Sequence, residues 1–159
     1  MRHIIQNSKI CVVGIGNTLR SDDGIGALVC SCLEKRNFPG VTTLVVQQLQ
    51  VELIEEFLTY DYIILADASL SGKEVEFYTL PPGETGIVSS SHQASAKMLD
   101  TLSQKLYHKR LPILICAIRG ENFEIGDTPS DYAITNTSKA VHLLYKWIDG
   151  HTNLPVELS

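Results

Sequence analysis

The stretch from Val12 to Gly26, VVGIGNTLRSDDGIG, constrains the fold more than any other part of the chain. Apolar residues from Ile10 to Val13 predict a buried strand, and the Gly-x-Gly pair that follows predicts a tight turn. Apolar residues at helical spacing after the two aspartates predict a helix. Such a strand–loop–helix unit delivers loop side chains to the carboxyl edge of a parallel sheet, where open α/β folds keep their sites.

The remaining chain continues this alternation of strands and helices. Strands are predicted at Lys9–Val13, Val41–Val46, Tyr62–Ala66, Val75–Leu80 and Leu111–Ile118, and helices at Asp22–Lys35, Val51–Leu58, Gln93–Tyr107 and from a threonine cap at Thr128 to Trp147. Val75–Leu80 alternates polar and apolar residues, which is typical of an antiparallel edge strand. The pattern predicts an α/β fold: a three-layer αβα domain whose mostly parallel, twisted sheet has about five strands, including one antiparallel edge strand.

The length of 159 residues suits one domain, and no linker or repeat interrupts it. We therefore predict a single domain over residues 1–159, with a core at 8–148 and a loose C-terminal tail at 149–159. A serine-rich loop, Ser89 to Ser91, is expected to lead into His92.

Charge and cysteine usage narrow the function classes. A net charge of −5 and a pI of about 5.5 argue against nucleic acid and anionic membrane surfaces as partners. The four cysteines lack the spacings of disulfide frameworks or zinc sites, and no apolar signal core opens the chain. We expect a cytoplasmic monomer that binds neither nucleic acid nor membranes.

The glycines of the first loop resemble the start of a dinucleotide-binding fingerprint. Leu19, however, stands where the third glycine is required, and Gln47 and Gln48 stand where an acid should close the second strand. A tight turn explains the glycines better than a nucleotide site does.

Three side chains from separate loops are the candidate site. Of the aspartate doublet, we assign Asp22 to capping the helix that it precedes and leave Asp23 free to act. Asp67 follows the third strand, on the same rim of the sheet as Asp23. His92 opens a helix, whose N-terminus disfavours the imidazolium and favours the neutral, metal-binding ring. Two carboxylates and one imidazole suit a divalent metal of intermediate softness, either resident or presented by another molecule.

With these residues the sequence resembles a known family, the nickel–iron hydrogenase maturation endopeptidases. The resemblance rests on three segments: Gly14-Ile-Gly16-Asn17-x-Leu19-x-x-Asp22-Asp23-Gly24-Ile-Gly26, Asp67 within Leu-Ala-Asp-Ala-Ser, and Ser91-His92-Gln93. It extends over nearly the whole chain, including the Gly126-x-x-Pro129 segment before the last helix.

The resemblance implies an endopeptidase that removes a C-terminal extension from a hydrogenase large-subunit precursor after nickel insertion. It implies that Asp23, Asp67 and His92 are the catalytic residues and meet the nickel, which the precursor presents. The family carries an aspartyl-protease label. Two ways of activating the attacking water are compatible with these residues. A metal could polarise the scissile carbonyl or lower the pKa of a bound water, or a carboxylate could act as the general base.

One segment departs from the family pattern. Members carry Gly-Thr or His-Gln-Leu after the second strand, whereas this chain has Gln47-Gln48-Leu49-Gln50. This difference leaves the substrate subtype open.

Two other functions compete with the peptidase. A receiver-type phosphoacceptor would use Asp67 but needs a lysine after the last strand, where Arg119-Gly120-Glu121 stands. A small-ligand or nucleotide-binding module needs the fingerprint that Leu19 interrupts.

Overall fold

The computed structural model describes residues 2–6, 8–81, 91–152 and 154–158, and the side chains of 8–81 and 92–152. The elements are β1 (Arg2–Gln6), β2 (Ile10–Ile15), a 3₁₀ turn (Ser21–Gly24), α1 (Ile25–Arg36), β3 (Val41–Val46), α2 (Leu53–Phe57), β4 (Tyr62–Ser69), β5 (Val75–Thr79), α3 (Ser91–Tyr107), β6 (Ile113–Arg119), α4 (Asp131–Thr152) and β7 (Leu154–Leu158). Among the described residues, no helix combines the length and apolarity that a membrane span requires.

The main sheet has five strands in the order β3–β2–β4–β6–β5. β3, β2, β4 and β6 are parallel, and β5 runs antiparallel to β6 at one edge. This arrangement confirms the predicted α/β fold with its antiparallel edge strand. Because β2 and β4 are parallel neighbours, their carboxyl ends meet at one rim, with Ile15 opposite Asp67.

Each strand contributes side chains to both faces of the sheet, as strand geometry requires. Along β2, Ile10 and Val12 pack with apolar residues of α1 and α4. Cys11, Val13 and Ile15 pack on the opposite face with residues of α2 and α3. Two apolar layers therefore cover the sheet, which explains why its central strands are apolar without interruption.

Two glycines let helix α1 lie directly against the sheet. A Cβ added to Gly14 would come 2.3 Å from the carbonyl oxygen of Gly26, and one on Gly26 would come 2.6 Å from the carbonyl oxygen of Ala66. Both distances are far below van der Waals contact. The sequence predicted these glycines only as part of a turn. The structure shows that they also allow β2, α1 and β4 to pack closely together.

The predicted loose tail is wrong. Helix α4 continues through Thr152, whose side chain is buried and donates to the carbonyl of Ile148 at 2.9 Å. The following strand β7 then pairs with β1 in antiparallel register, Arg2 opposite Leu158 and Gln6 opposite Leu154. The tail lacked a visible signal because its partner strand stands at the other end of the chain.

Most other element boundaries differ from prediction by one to three residues, and two of these differences have a visible cause. β4 extends beyond Ala66 to Ser69, because β6 continues to pair with it as far as Arg119. Helix α4 begins at Asp131, and its cap is Ser130 in place of Thr128: the Ser130 hydroxyl accepts the N–H of Ala133 at 3.1 Å. The serine-rich loop predicted before His92 falls mainly on residues 82–90, which lie outside the described residues.

Candidate functional site

His92 meets Asp67 because both stand on the same face of the sheet. Along β4, Ile63 and Leu65 pack on the α3 face, and Asp67 follows them with the same two-residue period. Helix α3 begins at Ser91, which places His92 in its first turn. The ring nitrogen Nδ1 of His92 lies 2.8 Å from Oδ2 of Asp67.

Asp67 is almost fully buried. Its exposure is 7%, and its Oδ1 has no hydrogen-bond partner among the described residues. Burial raises the pKa of Asp67 and the nearby Asp23 charge adds to the rise, whereas the hydrogen bond from His92 opposes it. A buried carboxylate with one uncommitted oxygen can accept a proton or bind a cation.

The pKa of His92 is raised, contrary to the expectation from its place at a helix start. The hydrogen bond to Asp67 is the largest cause; burial opposes the rise, and the charges of Asp67 and Asp23 add to it. The two acidic neighbours thus favour the protonated ring, whereas the place of His92 at a helix start had predicted a neutral ring. The contact uses Nδ1, so Nε2 is the nitrogen through which the ring can bind another group.

Asp23 is held by the loop that the first motif forms. Its Oδ2 accepts the backbone N–H of Asn17 at 2.7 Å. Gly16 has a φ of +138°, and a Cβ there would come 2.1 Å from the carbonyl oxygen of Asp23. Only glycine permits this fold-back. The turn at Gly16 therefore determines where the Asp23 side chain lies.

Asp22 does not cap the helix that it precedes, and this part of the sequence interpretation is wrong. Its carboxylate is fully buried and accepts the N–H groups of Glu121, Asn122 and Ser130 at 2.6 to 2.9 Å, together with the Ser130 hydroxyl at 2.8 Å. A Cβ on Gly120 would come 2.7 Å from the Cβ of Asp22, which shows how closely the loop after β6 covers it. Asp22 therefore joins the first motif to the start of α4.

The three predicted residues line one open cleft of about 450 Å³. Its walls are Asn17, Arg20, Asp23, Gln47, Gln48, Asp67, Ala68, Ser69, Leu70, His92 and Phe123. The structure thus brings Asp23, Asp67 and His92 to one place. A cleft with two carboxylates, an imidazole and amide side chains can hold a polar polypeptide segment and a cation together.

Several cleft residues were not singled out from the sequence. Arg20 reaches across the cleft wall, with its Nε donating to the carbonyl of Phe123 at 3.2 Å. Gln47 was noted only as a departure from the expected patterns, although its place directly after a strand identifies it as a rim residue. Phe123 gave no signal, because it stands in an irregular loop far along the chain.

Asp23, Asp67 and His92 do not form a closed metal site. Within the described residues, no group of three His, Cys, Asp or Glu side chains stands close enough to hold one ion. Each can supply a donor atom to a metal that carries other ligands.

The geometry is unfavourable to a phosphoacceptor role for Asp67. A phosphoacceptor carboxylate must be accessible, whereas Asp67 is 7% exposed and bonded to His92. At the position where a receiver needs its lysine, Arg119 turns away and donates Nη1 to the carbonyl of Gly72 at 3.1 Å.

Comparison with known proteins finds solved structures of similar fold. No family profile and no curated protein sequence matches the chain. The hydrogenase maturating endopeptidase HybD from E. coli superimposes with a TM-score of 0.74 at 20% identity, covering 93% of this chain and 96% of that one. The [NiFe] hydrogenase maturation protease HybD from Thermococcus kodakarensis superimposes with a TM-score of 0.67 at 24% identity, covering 88% of this chain and 99% of that one.

A third solved structure, the [NiFe] hydrogenase maturation protease HycI from Thermococcus kodakarensis KOD1, gives a TM-score of 0.68 at 18% identity, covering 90% of this chain and 94% of that one. These likenesses extend over nearly the full length of both partners. At such identities they establish the fold.

Proposed function

We propose that this chain, which has the fold of the hydrogenase maturation endopeptidases, is itself a peptidase of that kind. It removes the C-terminal extension from the large-subunit precursor of a nickel–iron hydrogenase, after nickel has been inserted into the precursor. The observation that carries the proposal is the convergence of Asp23, Asp67 and His92 on one open cleft. The reaction takes place in the cytoplasm.

Nickel belongs to the substrate in this proposal. The precursor supplies the greater part of the coordination shell, and the carboxylates of Asp23 and Asp67 and the imidazole of His92 are the donors that the cleft offers to the incoming nickel. A metal-free precursor lacks the cation that these acidic side chains attract, and it is therefore bound poorly. The protease thereby senses that nickel insertion is complete.

Asp67 is suited to a second task, the handling of a proton. Burial raises its pKa, which makes its carboxylate a stronger base than an exposed one. Its contact with His92 gives the proton a partner across 2.8 Å. Nickel held beside the scissile bond polarises the carbonyl that water attacks. The cleft residues thus orient the peptide, the metal and the attacking water.

The proposal is tested by substituting Asp67. Asp67→Asn keeps the shape of the side chain and an acceptor for His92 but removes the charge. We expect a folded protein that leaves the nickel-loaded precursor uncut, as followed by mass spectrometry of the large subunit. Asp127→Asn, which changes an exposed aspartate outside the cleft, is the matched control and should process normally. Normal processing by the Asp67 variant would overturn the assignment.

A further inference from the structure

β3 is an edge strand, and the backbone groups on its outer side have no partner strand among the described residues. It ends the main sheet, with β2 as its neighbour on the inner side. The N–H of Ile10 donates to the carbonyl of Gly40, and the N–H of Gly16 donates to the carbonyl of Val46. In a parallel pair the backbone groups alternate in direction, so even-numbered residues of β3 face β2. The N–H and C=O groups of Thr43 and Val45 consequently point to the open edge.

In the part of the chain that the structure describes, β3 itself carries none of the sequence features that block strand addition. β3 contains no proline, lysine or other charged residue, and its register with β2 is unbroken from Val41 to Val46. The side chain of Val45 is 48% exposed. A regular, uncharged edge of this kind can pair with a further extended segment.

The edge leads directly into the candidate site. Val46 is followed by Gln47 and Gln48, which line the cleft together with Asp67 and His92. The same two glutamines also line a second groove of about 550 Å³, with Val46, Gln50, Glu52 and Leu53 as its other walls. The edge of β3, this groove and the cleft are therefore continuous. The glutamine amides can both donate to and accept from a peptide backbone.

We propose that the β3 edge binds an extended segment of the substrate polypeptide by strand addition, with its hydrogen bonds supplied by Thr43 and Val45. The inference rests on the proposed function and names the substrate's docking site. Strands lie about 4.8 Å apart, so an added strand would lie about 15 Å from β4, which carries Asp67. About four residues of extended chain span this distance between the docked segment and the scissile bond.

Proline substitution tests the proposal, because it removes one backbone donor. In Val45→Pro the lost N–H points away from β2, which keeps the ladder between β2 and β3 complete. Thr79→Pro is the matched control at the opposite edge of the same sheet. The N–H of Arg119 donates to Glu74 and that of Leu80 donates to Ile113, so even-numbered residues of β5 face β6 and Thr79 faces outward.

Both variants are first compared with the unsubstituted chain by thermal unfolding and then assayed on the nickel-loaded precursor. We expect Val45→Pro to raise KM about tenfold with kcat within about twofold, in line with the loss of strand pairing. Thr79→Pro should leave both constants unchanged. Equal KM values for the two variants would overturn the strand-addition proposal and leave the peptidase assignment intact. Absence of cleavage by the unsubstituted chain would overturn the peptidase assignment, and the docking site that rests on it would fall with it.

Hydrogen exchange covers the case in which Val45→Pro does not fold. The Asp67→Asn variant, which we expect not to cut, is saturated with nickel-loaded precursor, and formation of the complex is verified by size-exclusion chromatography. We expect the amide protons of Thr43 and Val45 to become protected in this complex, while that of Thr79 exchanges as before. Unchanged exchange at Thr43 and Val45 contradicts the proposal. So does a result in which Val45→Pro converts a dimer into a monomer with no change in KM, since the edge would then pair with a second copy.

Discussion

The imidazole of His92 and the carboxylate of Asp67 are joined by a 2.8 Å contact between Nδ1 and Oδ2. This contact connects the first turn of α3 to the carboxyl end of β4, which are 25 residues apart in the chain. It fixes which ring nitrogen of His92 remains for a ligand, and it couples the protonation of the two groups. The first prediction follows from that coupling.

The pKa of His92 should lie above its ordinary value of 6.5, because the hydrogen bond to Asp67 favours the protonated ring. A ¹H–¹⁵N titration of the imidazole by NMR measures it. In Asp67→Asn the charge is gone, and we expect the pKa of His92 to fall relative to the unsubstituted protein. An unchanged His92 pKa in the variant would contradict the coupling.

The same coupling predicts how stability depends on pH. A folded-state pKa above the unfolded value means that the folded chain binds the proton more tightly. The contribution of His92 is therefore complete below about pH 6.5 and is lost as the pH rises through the folded-state pKa. Urea unfolding across this window should show a decline in stability that is shallower in His92→Gln. An equal slope in both proteins would contradict the prediction.

Asp22 should matter for stability in the opposite pH range. Burial raises its pKa, but the hydrogen bonds from Glu121, Asn122 and Ser130 outweigh burial and lower it below its ordinary value of 3.8. The stabilisation is present above that value and is lost as the pH falls through the folded-state pKa. At neutral pH, Asp22→Asn should cost about 3 kcal/mol of unfolding free energy, because its amide cannot accept all four bonds.

Ser130→Ala is the matched comparison for Asp22. It removes one of the four donors and the cap of α4, and we expect a loss of about 1 kcal/mol. Urea unfolding measures both variants. If Asp22→Asn were no less stable than Ser130→Ala, this result would contradict the claim that the Asp22 carboxylate links the first motif to the start of α4.

Gly16 should be intolerant of a side chain, since a Cβ would come 2.1 Å from the carbonyl of Asp23 at a φ of +138°. Gly16→Ala should displace Asp23 and lower kcat/KM on the order of a hundredfold. Gly150→Ala is the control: its Cβ would meet nothing within 4 Å, and alanine in helix α4 should add up to about 1 kcal/mol of stability. Processing assays and thermal unfolding distinguish the two, and equal activity would contradict the role of the turn.

The fold and the three candidate residues followed from local patterns. Uninterrupted apolar strands separated by helical periodicity specify a covered parallel sheet, and parallel strands place Asp23 and Asp67 at one rim. The two-residue period of β4 also carries the information that Asp67 faces α3, although only the structure shows that the faces match.

What the sequence did not reveal depends on partners far apart in the chain. Asp22 is stabilised by loop residues about a hundred positions away, so its local reading as a helix cap was wrong. The C-terminal strand pairs with residues at the start of the chain. The pKa of His92 is raised by Asp67, which stands on another element, and this direction is opposite to the one that its place at a helix start suggests.

The dependence of cleavage on nickel in the substrate tests the central claim most directly. The purified protein is incubated with the nickel-loaded large-subunit precursor and, in parallel, with the same precursor prepared without nickel, and the release of the C-terminal extension is followed by mass spectrometry. If Asp23, Asp67 and His92 bind nickel that the precursor presents, only the loaded precursor is cut. Equal cleavage of both precursors, or of neither, would contradict the account.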